Sequence, residues 1–169
     1  MKKNLVLLGM MAVGKSTLGK IVAKKLNLQF IDTDKNIESS NAMKIKDIFE
    51  KRGENFFRAE EEKEVLKSLK KENCIIALGG GAFLNNTIRD NVLKNSIAIW
   101  LDADIKTLEK RVKWNEKRPL LKKNNSYKMI KKIYQERKKI YKLAKYKIKC
   151  DKMYKSDLIK KIILLYEQQ

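Results

Sequence analysis

The sequence predicts an α/β protein: an open parallel sheet with helices on both faces, a three-layer α/β/α sandwich. Two observations carry that prediction. Short apolar runs near 4–8, 29–32, 74–78, 96–101 and 146–149 alternate with helical periodicity near 15–26, 34–51, 55–71, 86–94, 104–115, 127–143 and 157–167. The polar motifs follow the strand-like runs, where the carboxyl ends of a parallel sheet gather ligands. A chain of 169 residues is expected to form one domain, 1–169, with a single sizeable core.

The first strand, Asn4-Leu5-Val6-Leu7-Leu8, runs into Gly9-Met10-Met11-Ala12-Val13-Gly14-Lys15-Ser16, which fits G-x-x-x-x-G-K-[ST]. Successive backbone N–H groups of such a loop wrap an anion, Lys15 reaches outer phosphates, and the Ser16 hydroxyl can ligate magnesium. Leu18, Ile21, Val22, Lys25 and Leu26 then approximate one face of a helix whose positive end adds to the cradle. Lys2-Lys3 before an apolar stretch could open a secretory signal, but Lys15 ends the run too early and no small-residue cleavage pattern follows.

The second strand ends in Ile31-Asp32-Thr33-Asp34, two carboxylates two residues apart. Asp32 suits the magnesium that Ser16 also approaches, because that ion takes few carboxylates and keeps several waters. Asp34 could accept a hydroxyl proton from the substrate or orient that hydroxyl toward the γ-phosphate. A helix N-cap is the alternative role for one of the two. In the segment Phe49 to Glu61, a break at Gly53 separates two helices, and Arg58 is the candidate clamp for a substrate carboxylate, with Glu61 one turn on to fix it. The same pair could be an ordinary surface ion pair.

Ile75-Ile76-Ala77-Leu78 leads into Gly79-Gly80-Gly81, where main chain can approach a ligand closely. No Asp stands there, which leaves the second metal-ligand role to Asp32. Residues 114–125, basic, polar and holding the single proline, are expected to form a lid of about 113–125 that brings Arg118 to the transferring phosphoryl group. A plain helix-to-helix loop is the alternative. Tyr134, Arg137, Ile140 and Tyr141 share one side of the next helix, and Ser156 is the expected N-cap of the last one.

Composition narrows the chemistry. With 43% hydrophobic and 36% charged residues the chain is globular, and no apolar run nears the ~20 residues of a membrane helix. Cys74 and Cys150 stand far apart, suggesting neither zinc nor a disulfide framework and fitting a reducing cytoplasm. There is no histidine, so a proton acceptor must be Asp, Glu, Lys or Tyr. The net charge is +20, and residues 106–149 carry eighteen basic side chains against three acidic ones. Such a face could bind nucleic acid, steer small polyanions such as ATP, or simply be solvated. Among forty basic residues only Arg52, Arg58, Arg89, Arg111, Arg118 and Arg137 are arginine, the residue suited to two-pronged anion recognition.

The P-loop, Asp32-Thr33-Asp34, the Phe49–Glu61 segment, the triple glycine, Arg118-Pro119-Leu120-Leu121 and Glu136-Arg137 together resemble the shikimate kinase family over nearly the full length. That resemblance implies a P-loop fold with the strand order 2-3-1-4-5 and a substrate-binding helical segment of about 33–61. It implies Mg²⁺-dependent transfer of the ATP γ-phosphoryl group to the 3-hydroxyl of shikimate, a step toward chorismate and the aromatic amino acids. Ala12, Val13, Gly14, Lys15, Ser16, Thr17, Arg111 and Arg118 would then face ATP, with Arg111 stacked on adenine. Ser16 and Asp32 would hold Mg²⁺, and Lys15, Arg118 and Asp34 would serve the transfer. Asp34, Arg58, Gly79, Gly80, Gly81 and Arg137 would bind shikimate. Members of the family usually carry glycine where this chain has Ala12, a residue of narrower backbone freedom. The expected partners are ATP and shikimate, with no nucleic acid and no membrane, in a cytoplasmic monomer. The rival readings are another small-molecule P-loop kinase such as a gluconate kinase, a basic P-loop protein that binds nucleic acid, and a catalytically silent relative.

Overall fold

The computed structural model describes residues 3–113 and 126–168. Five parallel strands, β1 (Asn4–Leu8), β2 (Gln29–Asp32), β3 (Cys74–Ala77), β4 (Ser96–Asp102) and β5 (Tyr146–Lys149), form one sheet in the order β2-β3-β1-β4-β5. The order expected from the resemblance is the order observed. Val6 of central β1 pairs with Ile76 of β3 and Ala98 of β4. Every residue of these three strands is buried and all but Asn4, Ser96 and Asp102 at their ends are apolar, the run required of strands covered on both faces.

The helices are α1 (Lys15–Leu26), α2 (Thr33–Ser40), α3 (Ile45–Leu69), α4 (Asn86–Asn95), α5 (Ile105–Lys113), α6 (Ser126–Tyr141) and α7 (Lys155–Glu167), with a 3-10 turn at Ala82–Leu84. Helix α1 packs close to the sheet because Gly19 leaves room for Phe30, whose ring would lie 2.5 Å from a Cβ there. It ends on Asn27 in the left-handed conformation, with Lys24 and Lys25 in its last turn opposing the negative end of the dipole. The main core joins the sheet to its flanking helices. A second, smaller cluster of Ile37, Ile48 and Phe57 supports α2 and α3 alone.

Three element boundaries differ from expectation. The stretch 34–51 is not one helix, since the chain turns at 41–44, with Ala42 at φ 48°. Local polar groups make that turn: Asn41 donates from its amide nitrogens to the Ile37 carbonyl, and Glu38 accepts the N–H of Ile45, so one helix is closed as the next is opened. The break at Gly53 survives as a single non-helical residue, φ 81° and ψ 170°, inside α3. Helix α7 starts at Lys155, which puts Ser156 inside its first turn instead of at the cap, and Tyr154 caps without a side-chain bond. Among the described residues no helix is long and apolar enough to cross a membrane.

Candidate active site

The loop after β1 bends through three positive-φ residues, Gly9 (137°), Ala12 (60°) and Gly14 (110°). Gly9 has no substitute, because a Cβ would lie 2.3 Å from the Leu101 carbonyl oxygen. Ala12 occupies the left-handed region although it has a Cβ, at a penalty of about 1–2 kcal/mol. Lys15 folds back over the loop and donates through Nζ to the carbonyls of Gly9 (2.8 Å) and Met10 (2.9 Å). Arg111 of α5 donates to the Val13 carbonyl at 3.1 Å.

Ser16, one residue on, donates through Oγ to Asp32 Oδ2 at 2.6 Å. The other oxygen of Asp32 accepts the N–H of Lys35 and caps α2. Asp32 is therefore both the helix cap and the neighbour of Ser16, roles that the sequence left as alternatives. The pair offers two hard oxygen donors at the mouth of a phosphate loop, a donor set that fits Mg²⁺.

The acceptor side is built on Gly79-Gly80-Gly81, just past β3. A Cβ on Gly79 would lie 2.5 Å from Asp34 Oδ1 and 2.9 Å from Glu61 Oε1. One on Gly80 would lie 3.3 Å from Arg137 Nη1 and 3.6 Å from the Met11 nitrogen, and one on Gly81 would lie 2.8 Å from Arg58 Nη1. Each glycine thus gives up its side-chain space to a charged neighbour, and Gly80 joins this cradle to the P-loop. Arg137 and Tyr141 both donate to the Gly80 carbonyl, the former at 2.9 Å.

Arg58 is held from two sides. Its Nη1 donates to Glu61 at 2.7 Å, while Nε (3.3 Å) and Nη2 (3.1 Å) donate to Glu54. Burial opposes the Arg58 charge, yet the two carboxylates outweigh it and hold the guanidinium above its ordinary pKa. Glu61 is almost wholly buried, and that burial pushes its carboxyl above the usual range despite the pull of Arg58. The guanidinium also lies 5.2 Å over the Phe57 ring, which itself packs against Phe49.

Beside the P-loop, a cleft of about 310 Å³ is walled by Ala12, Val13, Thr17, Arg111, Cys150 and Met153, among others. Burial raises the Cys150 thiol to about 11, so it stays protonated at neutral pH.

The structure brings Ala12, Val13, Gly14, Lys15, Ser16, Thr17, Asp32 and Arg111 together around loop and cleft, and Asp34, Arg58, Gly79, Gly80, Gly81 and Arg137 around the glycine turn. Arg118 and the expected lid lie outside the described residues except for Lys113, the last residue of α5. Four site neighbours escaped the sequence reading as members of the set. Glu54 and Tyr141 stood in quoted segments without a ligand role, and Cys150 and Met153 belong to a stretch with no motif.

A parallel sheet with a P-loop at its central strand, a Ser–Asp pair at the loop exit and an acceptor cradle carrying Arg58, Arg137 and Asp34 beside it defines a P-loop kinase. The family model for shikimate kinase matches residues 11–166, and a shikimate kinase of Sulfurihydrogenibium sp. strain YO3AOP1 is 42% identical over 95% of this chain and 96% of its own length. The chain belongs to the shikimate kinase family and is an ATP-dependent kinase. A shikimate kinase of Persephonella marina is 40% identical over 86% of the chain and 88% of its own length. Among solved structures, the shikimate kinase of Acinetobacter baumannii in complex with shikimate superposes with a TM-score of 0.92 at 29% identity, covering 99% and 94% of the two chains. A gluconokinase of Sinorhizobium meliloti, at 12% identity and a TM-score of 0.60, shares the fold alone.

Proposed function

We propose that this protein transfers the γ-phosphoryl group of ATP to the 3-hydroxyl of shikimate, as a cytoplasmic monomer on the route to the aromatic amino acids. The observation that carries this reading is the junction at Gly80. There a cradle with two guanidiniums and two carboxylates, one of them Glu61 already paired with Arg58, abuts the P-loop, and a small hydroxylated carboxylate can meet a nucleotide. Arg58 and Arg137 clamp the acceptor carboxylate, since planar two-pronged donors match it. Asp34 then lies on the hydroxyl side, where it orients the nucleophile and takes its proton as the oxygen attacks.

On the donor side Lys15 exchanges the Gly9 and Met10 carbonyls for the outer phosphates, while the loop N–H groups hold the charge. Arg118 shares that work on the strength of the family motif Arg118-Pro119-Leu120-Leu121. Ser16 and Asp32 hold Mg²⁺, which when bound neutralises phosphate oxygens as charge moves onto the leaving group. Arg111 walls the adenine cleft together with Val13 and Met153. The direct test is ADP release from Mg·ATP with shikimate, gluconate, quinate or a nucleoside monophosphate as acceptor. Release with shikimate far above the others is expected; release with none of them, or preference for gluconate, would refute the assignment.

A further inference from the structure

Helix α6 carries Arg137 to the acceptor cradle, and it is fastened on both sides of that residue. Tyr134, Arg137 and Tyr141 lie at helical positions i, i+3 and i+7, hence on one face. Tyr141 is tied to the Gly80 carbonyl inside the cradle, and its ring packs 5.9 Å from Trp100 of β4. The other fastening lies elsewhere: the Tyr134 hydroxyl donates to Asp102 Oδ1 at 3.0 Å, at the carboxyl end of β4. Asp102 is 1% exposed, and its second oxygen lies 3.0 Å from Lys147 Nζ and 3.3 Å from Lys149 Nζ on β5. Asp102 lines neither the nucleotide cleft nor the glycine cradle, although its main-chain carbonyl accepts the N–H of Cys150, which walls the cleft. A slip of α6 by one residue, about 1.5 Å, would take Arg137 out of its hydrogen bond with Gly80.

We propose that Tyr134 and Asp102 are positioning residues for the acceptor site: their hydrogen bond, made outside the site, fixes α6 on the sheet and so sets the reach of Arg137. The inference rests on the reading that Arg137 holds the acceptor carboxylate. Tyr134→Phe removes one hydroxyl and keeps the ring. It is expected to raise the shikimate KM about threefold to tenfold, the equivalent of one net hydrogen bond, while kcat and the ATP KM stay within about twofold. Asp102→Asn, which retains an acceptor oxygen for Tyr134, is expected to stay nearer the parent shikimate KM than Asp102→Ala.

A double-mutant cycle separates this from general loosening, because a residue that acts through Arg137 has nothing left to act on once Arg137 is gone. Tyr134→Phe should therefore leave the shikimate KM unchanged in an Arg137→Ala background. The inference is overturned if folded Tyr134→Phe protein, checked by its thermal transition, keeps the parent shikimate KM, or if both substrates' KM values move together. It is equally overturned if the two substitutions are additive. Should Arg137→Ala itself leave shikimate binding intact, the underlying assignment of Arg137 fails instead, and the two failures are told apart.

Discussion

The nucleotide half of the site and the acceptor half meet at Gly80, yet they are built in opposite ways. The nucleotide half centres on one stretch, 9–17, with Asp32, Arg111, Cys150 and Met153 added around it, and its cation Lys15 waits on main-chain carbonyls that phosphate can replace. The acceptor half draws Asp34 from α2, Arg58 and Glu61 from α3, three glycines from the end of β3 and Arg137 from α6. Its cation Arg58 is paired with carboxylates, one of them buried. The first half therefore depends on local backbone conformation. The second depends on packing, in particular on the small cluster of Ile37, Ile48 and Phe57 that supports α2 and α3.

That contrast can be broken most severely where the halves share the reaction. Asp34→Asn keeps the shape of the side chain but puts an amide donor in place of one carboxylate oxygen and removes the proton acceptor, and kcat is expected to fall by about 10²–10⁴-fold. A steady-state rate near the parent value would take Asp34 out of the mechanism. Gly81→Ala is next in size, because its Cβ would sit 2.8 Å from Arg58 Nη1 and push the guanidinium aside. The shikimate KM should rise about tenfold with the ATP KM unmoved, since a displaced charged hydrogen bond is worth about 1.5 kcal/mol or more.

Glu61 offers a pH test of the same half. Burial holds its carboxyl above the ordinary 4.5, so acidification protonates it early and Arg58 loses its buried anionic partner. The shikimate KM should rise as the pH falls toward that raised value, and Glu61→Gln should flatten the profile. Unfolding by acid is not the cause expected from this group. A raised carboxyl pKa favours the folded state below 4.5, and the contribution is lost as the pH rises through the folded value. Ala12→Gly is the mildest change. Relief of left-handed strain is offset by the greater freedom of glycine in the unfolded chain, so stability should move by less than about 1 kcal/mol. Any kinetic effect should be confined to the ATP KM, and a shift in the shikimate KM would contradict the separation of the halves.

The same contrast explains what the sequence made legible. Gly9 to Ser16 announces its chemistry because the loop's geometry is local, and the strand pattern is plain because β1, β3 and β4 are apolar on both faces. Asp32, Asp34, Arg58 and the triple glycine were each ambiguous alone and meaningful only as a set. The turn at 41–44 was missed because Asn41 and Glu38 spend their side chains on caps inside an otherwise helical pattern. Glu54 was overlooked as a partner of Arg58 because a glutamate four residues before an arginine reads as ordinary helix surface. The fastening of Tyr134 on Asp102 spans 32 residues and leaves no local trace.

The central claim is that the acceptor cradle recognises a carboxylate independently of the nucleotide. Calorimetric titration of the nucleotide-free protein with shikimate, repeated for Arg58→Ala, tests it most directly. Arg58→Ala should weaken shikimate binding about tenfold to a hundredfold, the range of a charge-assisted hydrogen-bond pair, while a parallel titration with ADP gives the parent affinity. Equal shikimate affinity in the two proteins would contradict the account.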